Sequence, residues 1–193
     1  IYSFKNSLVL KSTTPLQVLS KEQLQRLNSL SVADATRFLS GVQLKDYGGI
    51  GGLKTIDIRS MGTSQTQKFL DGIAIGNAQN GQVDLGKFSL ENIDEITLYS
   101  GDTQTLLQPA KAYSSASPMY LTSNTPKFKD RETTRLKAGI KTGSFGLINP
   151  SFLFQKQVNK HLTASVSTEY LKAHGRYQFR LTDTNYDTTA RRE

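Results

Sequence analysis

Gly48-Gly49-Ile50-Gly51-Gly52 packs four glycines into five positions. Glycine loops can hold phosphate, because backbone N–H groups reach an anion with no Cβ in the way. The spacing argues against that use here. No Lys-Ser or Lys-Thr follows at P-loop distance, no G-x-G-x-x-G can be aligned, and the glycines lead into a strand-like segment rather than a helix. A loop that needs positive φ is the simpler account. The carboxylates Asp57, Asp71, Asp84, Asp94 and Glu95 are scattered, and no serine sits in a G-x-S-x-G turn or near a histidine in sequence, so nucleophilic catalysis lacks its residues. With no cysteine and only His161 and His174, an all-protein zinc site is not expected. The chain reads as a non-enzyme with no cofactor and no metal ligands of its own.

The net charge of +8 is unevenly placed. Residues 1–130 hold 13 Lys and Arg against 11 Asp and Glu, whereas residues 131–193 hold 11 against 5. The basic character belongs to the C-terminal third. No run of 18 apolar residues exists, so no helical span is expected. The first ten residues also lack the apolar core of a signal peptide.

The elements that would carry these residues are short. Ser20 and Gln23 have capping-box spacing ahead of Leu24 and Leu27, which predicts a helix over 21–27. Ser31 can cap a second helix, with Asp34 in its first turn, Val32, Ala35, Phe38 and Leu39 on one face, and Gly41 in the left-handed position past its end. Strands are expected at 42–45, at 55–60 with Ile56 and Ile58 on one face, at 67–70 and at 73–75. Asp71-Gly72 between the last two predicts a tight hairpin with two positive φ values. Alternation around Ile96 and Leu98, and again at 119–122, completes an α+β domain with a small mixed sheet.

Beyond residue 130 the period changes. Leu136, Ala138 and Ile140 alternate with Arg135, Lys137 and Lys141; Leu162, Ala164, Val166 and Tyr170 with Thr163, Ser165, Ser167 and Glu169; Tyr177, Phe179 and Leu181 with Arg176, Gln178 and Arg180. Apolar-out, polar-in segments of about ten residues are the pattern of transmembrane β-barrel strands. Turns are expected at "GLINP" and "VNKH", and His161 and His174 fall on the strands. About four strands fit, against about eight in the smallest bacterial barrels, so the sequence is expected to be a fragment. The contrasting possibility is a soluble α+β module whose basic extension meets nucleic acid or acidic partners. Its cations, however, are spaced singly along polar faces, without the aromatic platform an RNA-binding sheet presents.

The order of these pieces resembles the plug domain of TonB-dependent outer-membrane receptors. The resemblance rests on Ser40-Gly41-Val42 after a short helix, Ile58-Arg59-Ser60, Leu70-Asp71-Gly72-Ile73-Ala74, and the strand from Glu95 to Gly101-Asp102. It covers roughly residues 8–125. The paired Gly-rich loop and "NAQNGQVDLGKFSL" are most similar to the vitamin B12 (cobalamin) receptor type. "SGDTQTLLQPAKAYSSASPMYLTSN" lacks the family's Gly-Pro and Gly-Gly, and Ser60 and Ala74 replace its usual Gly and Pro.

The resemblance implies a plug over residues 1–126 and the first strands of an outer-membrane barrel over 127–193, in a Gram-negative bacterium. It implies active import of cobalamin or an iron chelate, with TonB, the small-molecule ligand and outer-membrane lipid as partners, and no nucleic acid. Apical loops would meet the ligand, with Asp46, Tyr47 and Ile50 on the first and Asn77, Gln79, Asn80 and Gln82 on the second. Arg59, a cation mid-strand inside such a plug, is expected to need a carboxylate partner.

Overall fold

The computed structural model describes residues 16–76, 81–101, 109–126, 128, 132–159, 162–174, 177–182 and 187–192. They divide into two compact units, residues 1–47 with 52–125, and residues 48–51 with 126–193.

In the first unit, strand β1 (Leu16–Ser20) runs straight into helix α1 (Lys21–Leu27). The capping box forms: the Gln23 amide donates to Ser20 Oγ, and Ser20 N–H donates to Gln23 Oε1 at 2.9 Å. Asn28, left-handed at φ 47°, ends the helix. Helix α2 (Val32–Thr36) is shorter than expected. Phe38 and Leu39 donate to the carbonyls of Ala35 and Thr36 three residues back, and this tighter winding turns them off the α-helical face. Leu39 is buried while Phe38 is 58% exposed, so the two do not share a face. Gly41 takes φ 75°, as expected.

The main sheet has the order β1-β6-β7-β4-β5. It contains β4 (Lys68–Leu70), β5 (Ile73–Ile75), β6 (Ile93–Tyr99) and β7 (Met119–Ser123), antiparallel throughout except for the parallel β4–β7 pair. Asp71 and Gly72 form the β4–β5 turn at φ 49° and 84°. Leu19, Ile96, Leu98, Met119 and Leu121 line one face of the sheet and pack with Leu24, Val32, Ala33, Ala35, Ile56, Ile58 and Leu85 into one core. Full burial of each large apolar side chain is worth about 1.5–3 kcal/mol, which is why helices this short persist. On the opposite face Phe69 stacks on Tyr120 at 4.8 Å, and Tyr99 meets Tyr120 edge-on.

A separate hairpin, β2 (Val42–Tyr47) with β3 (Leu53–Ile58), brings Ile56 and Ile58 to that core. Two 3₁₀ turns, Leu85–Lys87 and Leu90–Asn92, and a one-turn helix α3 (Ala110–Tyr113) complete the unit. Helix α3 falls where the resemblance departs from the family pattern.

The second unit holds β8 (Thr134–Gly143), β9 (Leu147–Gln157) and β10 (Thr163–Glu169) in the order β10-β9-β8, and the hairpin β11 (Tyr177–Thr182) with β12 (Asp187–Arg192). That makes five strands among the described residues, against the four or so expected. The additional strand is β12, and β9 begins earlier than expected, its first residues including the supposed "GLINP" turn. The chain reverses earlier and more tightly, at residues 144–146, through positive φ at Phe145 and Gly146. Leu136, Ala138 and Ile140 stand opposite Phe154, Phe152 and Pro150. Leu136 and Ile140 are 62% and 67% exposed, which leaves an open apolar face. The other face carries Arg135, Lys137 and Lys141. Arg135 holds Glu132 through two hydrogen bonds, and the Asn149 amide donates to Glu169 Oε1 at 2.8 Å. His174 stands outside the strands, its N–H donating to Phe145 O; His161 lies outside the described residues.

Candidate functional site

The β2–β3 hairpin and the segment leading to Asp84 carry the expected site residues. Tyr47, the last residue of β2, is 60% exposed opposite Leu53. Ile50 lies in the connecting turn, half-buried, among glycines of positive φ. Gln82 is half-buried just after Gly81, itself at φ 67°. Asn77, Gln79 and Asn80 lie outside the described residues.

Asp46 belongs to a charged cluster absent from the sequence-based expectations. Its Oδ2 lies 4.0 Å from Nζ of Lys54, the residue opposite it on β3. Lys54 is buried, and its Nζ donates to Asp34 Oδ1 at 2.9 Å. Asp34 in turn is fixed by Ser31, whose Oγ donates to its other carboxylate oxygen at 2.8 Å. Asp84 holds the backbone of the same lysine: its Oδ1 accepts from the Lys54 N–H at 3.1 Å and from Gly86 N–H at 3.0 Å. A Cβ at Gly86 would stand 3.3 Å from Lys54 Cβ. Helix α2, both strands of the hairpin and the Leu85–Lys87 turn thus converge on one lysine. Taking one partner from a buried pair costs about 3–5 kcal/mol, because the other charge stays behind uncompensated.

A signal for this cluster exists in the sequence. Lys54, Ile56 and Ile58 share one face of β3, so a cation stands in an apolar alternation, and a buried cation needs a partner. Arg59, expected to fill that role, does not. Strand β3 stops at Ile58, and Arg59 is exposed in a turn at φ 51°. The acid on the neighbouring face, Asp57, is taken by Lys45 at 3.0 Å and by Gly62 N–H at 2.9 Å. The hydrogen bond from Lys45, followed by that from Gly62, holds its carboxyl below the usual carboxylate range.

A second buried cation, Lys68, sits on the core face of the main sheet beside Met119 and donates to Thr63 O at 2.9 Å. Burial pulls its ammonium down to about 8. Among the described residues no group of three or more His, Cys, Asp or Glu is placed to hold a metal ion.

The TonB-dependent receptor plug domain family matches residues 9–113, more than half of the chain. The chain belongs to this family. Its solved structures repeat the fold. The siderophore receptor PiuA from Acinetobacter baumannii superposes with a TM-score of 0.62 at 17% identity, over 84% of this chain and 21% of its own. The ferric yersiniabactin uptake receptor FyuA from Yersinia pestis gives 0.60 at 16%, over 88% and 25%. The copper transporter OprC gives 0.58 at 20%, over 76% and 22%. The plug protein described here therefore spans about a quarter or less of the length of these structures. Its family places it at the outer membrane of Gram-negative bacteria, and the match favours a receptor over a soluble basic module. No helix among the described residues is long and apolar enough to cross a membrane, which says nothing about strands.

Proposed function

We propose that this plug and the strands after it belong to a receptor that imports a chelated metal across the outer membrane, drawing energy from the inner membrane through TonB. One observation carries the reading: a plug-family domain is followed directly by amphipathic antiparallel strands of transmembrane length. Strand β8 has 10 residues and β9 has 11, close to the about 9–11 that a tilted membrane strand needs. The open face of Leu136, Ile140 and Phe152 suits lipid, and the face of Arg135, Lys137 and Glu169 suits a wet lumen. The protein works by binding and passage, with no catalytic step and no nucleic acid.

Tyr47, Ile50 and Gln82 are the ligand-facing residues, together with Asn77, Gln79 and Asn80. Glycines on either side of Ile50 let backbone N–H and C=O groups approach a ligand closely. Asp46 contributes by fixing the loop base and by presenting carboxylate charge. Ferric siderophores are the first cargo to test, supported by the names that PiuA and FyuA carry. Copper and cobalamin are the competing cargoes, copper from the name of OprC and cobalamin from the Gly-rich loop pattern.

The test is growth of a strain lacking this receptor and its relatives, with and without the full-length gene, on ferric siderophores, copper or cobalamin as the limiting nutrient. Rescue on a ferric siderophore supports the reading. Rescue on cobalamin alone moves the chain to the cobalamin type, and no rescue on any of them rejects import.

A further inference from the structure

We propose that Lys54 is a positioning residue that holds the two ligand-facing segments in one fixed arrangement, so that they meet cargo as a single surface. The inference rests on the receptor reading for its ligand, and on geometry for the coupling. One side of Lys54 faces the end of the first segment, with Asp46 4.0 Å from its ammonium. The other side is bound by the second, where Asp84 accepts from the Lys54 N–H while closing the turn at Gly86. The ammonium itself is anchored on helix α2 by Asp34 at 2.9 Å, and Asp34 is oriented by the helix-capping Ser31. Lys87 and Arg37, on the exposed rim, add weaker contacts to Asp84 and Asp34 at 3.7 and 3.9 Å.

Each interaction uses a different part of the lysine: the backbone N–H holds one segment, and the side-chain charge holds the other together with the helix. A neutral side chain of similar length leaves the backbone bond to Asp84 in place but releases Asp34 and Asp46, so residue 54 is no longer tied to helix α2. Loosening then reaches both flanks, because the turn at Gly86 packs directly on the same residue: a Cβ there would meet Lys54 Cβ and Cδ.

The experiment uses the full-length receptor in outer membranes, with Lys54→Met, Lys54→Arg and Asp34→Asn. The first readout is amide hydrogen exchange at residues 42–47, 53–58 and 81–88, and it needs no ligand. Lys54→Met should speed exchange at all three segments by at least about tenfold, with Asp34→Asn similar and Lys54→Arg near wild type. The second readout is uptake of radio-iron as ferric enterobactin and ferric alcaligin. Lys54→Met should raise the half-saturating concentration about threefold to thirtyfold at an unchanged maximal rate, with rescue by Lys54→Arg. Exchange that rises in one segment only, or in none, overturns the proposal. So does coupled loosening with an unaltered half-saturating concentration. If neither chelate is transported by the wild type, these two are not its cargo, and the exchange readout alone decides Lys54. Should Lys54→Met not assemble, Asp34→Asn removes the same anchor and carries the test.

Discussion

Lys68→Met should make the plug more stable near neutral pH and abolish a rise in stability on the alkaline side. Lys68 is 1% exposed on the core face, and burial lowers its ammonium from 10.5 to about 8. That lowering disfavours the buried charge by roughly 3 kcal/mol. Below pH 8 the amine is charged in both the native and unfolded states, so the penalty is fully present. Between about 8 and 10.5 the native amine is neutral while the unfolded chain is still protonated, the unfolded state binds more protons, and stability rises with pH.

From about pH 7 to about pH 10 the gain is on the order of 2–3 kcal/mol, a drop of one to two orders of magnitude in the open population. Methionine removes the ammonium penalty and fills the same space flexibly. It also loses the hydrogen bond to Thr63 O, which as a charge-assisted bond is worth ~1.5–3 kcal/mol. The balance near neutrality is a net stabilisation on the order of 1 kcal/mol. Ser117→Cys, at a fully buried position of the same unit, reports opening by thiol labelling in the full-length receptor with any cysteine outside these 193 residues replaced, since these residues hold none. Labelling with and without Lys68→Met is compared at each pH, so the intrinsic reactivity of the thiol cancels. A ratio between the two that stays constant across this range would refute the reasoning, as would a loss of more than about 1 kcal/mol near neutrality.

Asp57, whose carboxyl is held low chiefly by Lys45, contributes stability above the ordinary carboxylate pKa that is lost as pH falls through its native value. Protection against hydrogen exchange in the β2–β3 hairpin, taken relative to the intrinsic rate at each pH, should therefore fall on acidification below about pH 4 in the wild type and respond far less in Asp57→Asn. Gly41→Ala forces a Cβ into φ 75° and should cost ~1–2 kcal/mol by the same thiol labelling. On the open face of β8, Ile140→Lys should lower assembly into the outer membrane, read as the heat-modifiable fraction on gels, since a lysine at mid-bilayer costs about 2–4 kcal/mol. Lys141→Ile, on the opposite face, should not lower it.

Features governed by neighbours along the chain are legible in the residues themselves. The Ser20 and Gln23 capping box, the left-handed Gly41 and the Asp71-Gly72 hairpin are each set by a few adjacent residues, and each forms. Alternation also locates most strands of both units, though not β1 or β12. Features governed by tertiary packing are not legible in this way. Arg59 and Lys54 are both cations beside Ile and Thr residues, and only the early end of β3 and the approach of α2 make one exposed and the other buried. Helix α2 shortens because Leu39 has to reach the core. The start of β9 reads as a turn because Asn149-Pro150 signals one, yet β8 on one side and residues 170–172 on the other, where Tyr170 N–H donates to Pro150 O and Ile148 bridges Lys172, hold it extended. The Lys54 cluster is half legible, as a cation in an apolar alternation, but its three aspartates come from separate elements that no local pattern links.

Uptake of radio-iron from a ferric siderophore, in cells whose only receptor of this kind is the full-length protein, is the most direct test of the central claim. Accumulation should require an energised inner membrane and TonB, and should stop when either is removed while ligand still binds at the cell surface. Accumulation that persists without TonB, or failure to bind and import any ferric siderophore, copper or cobalamin, would contradict it.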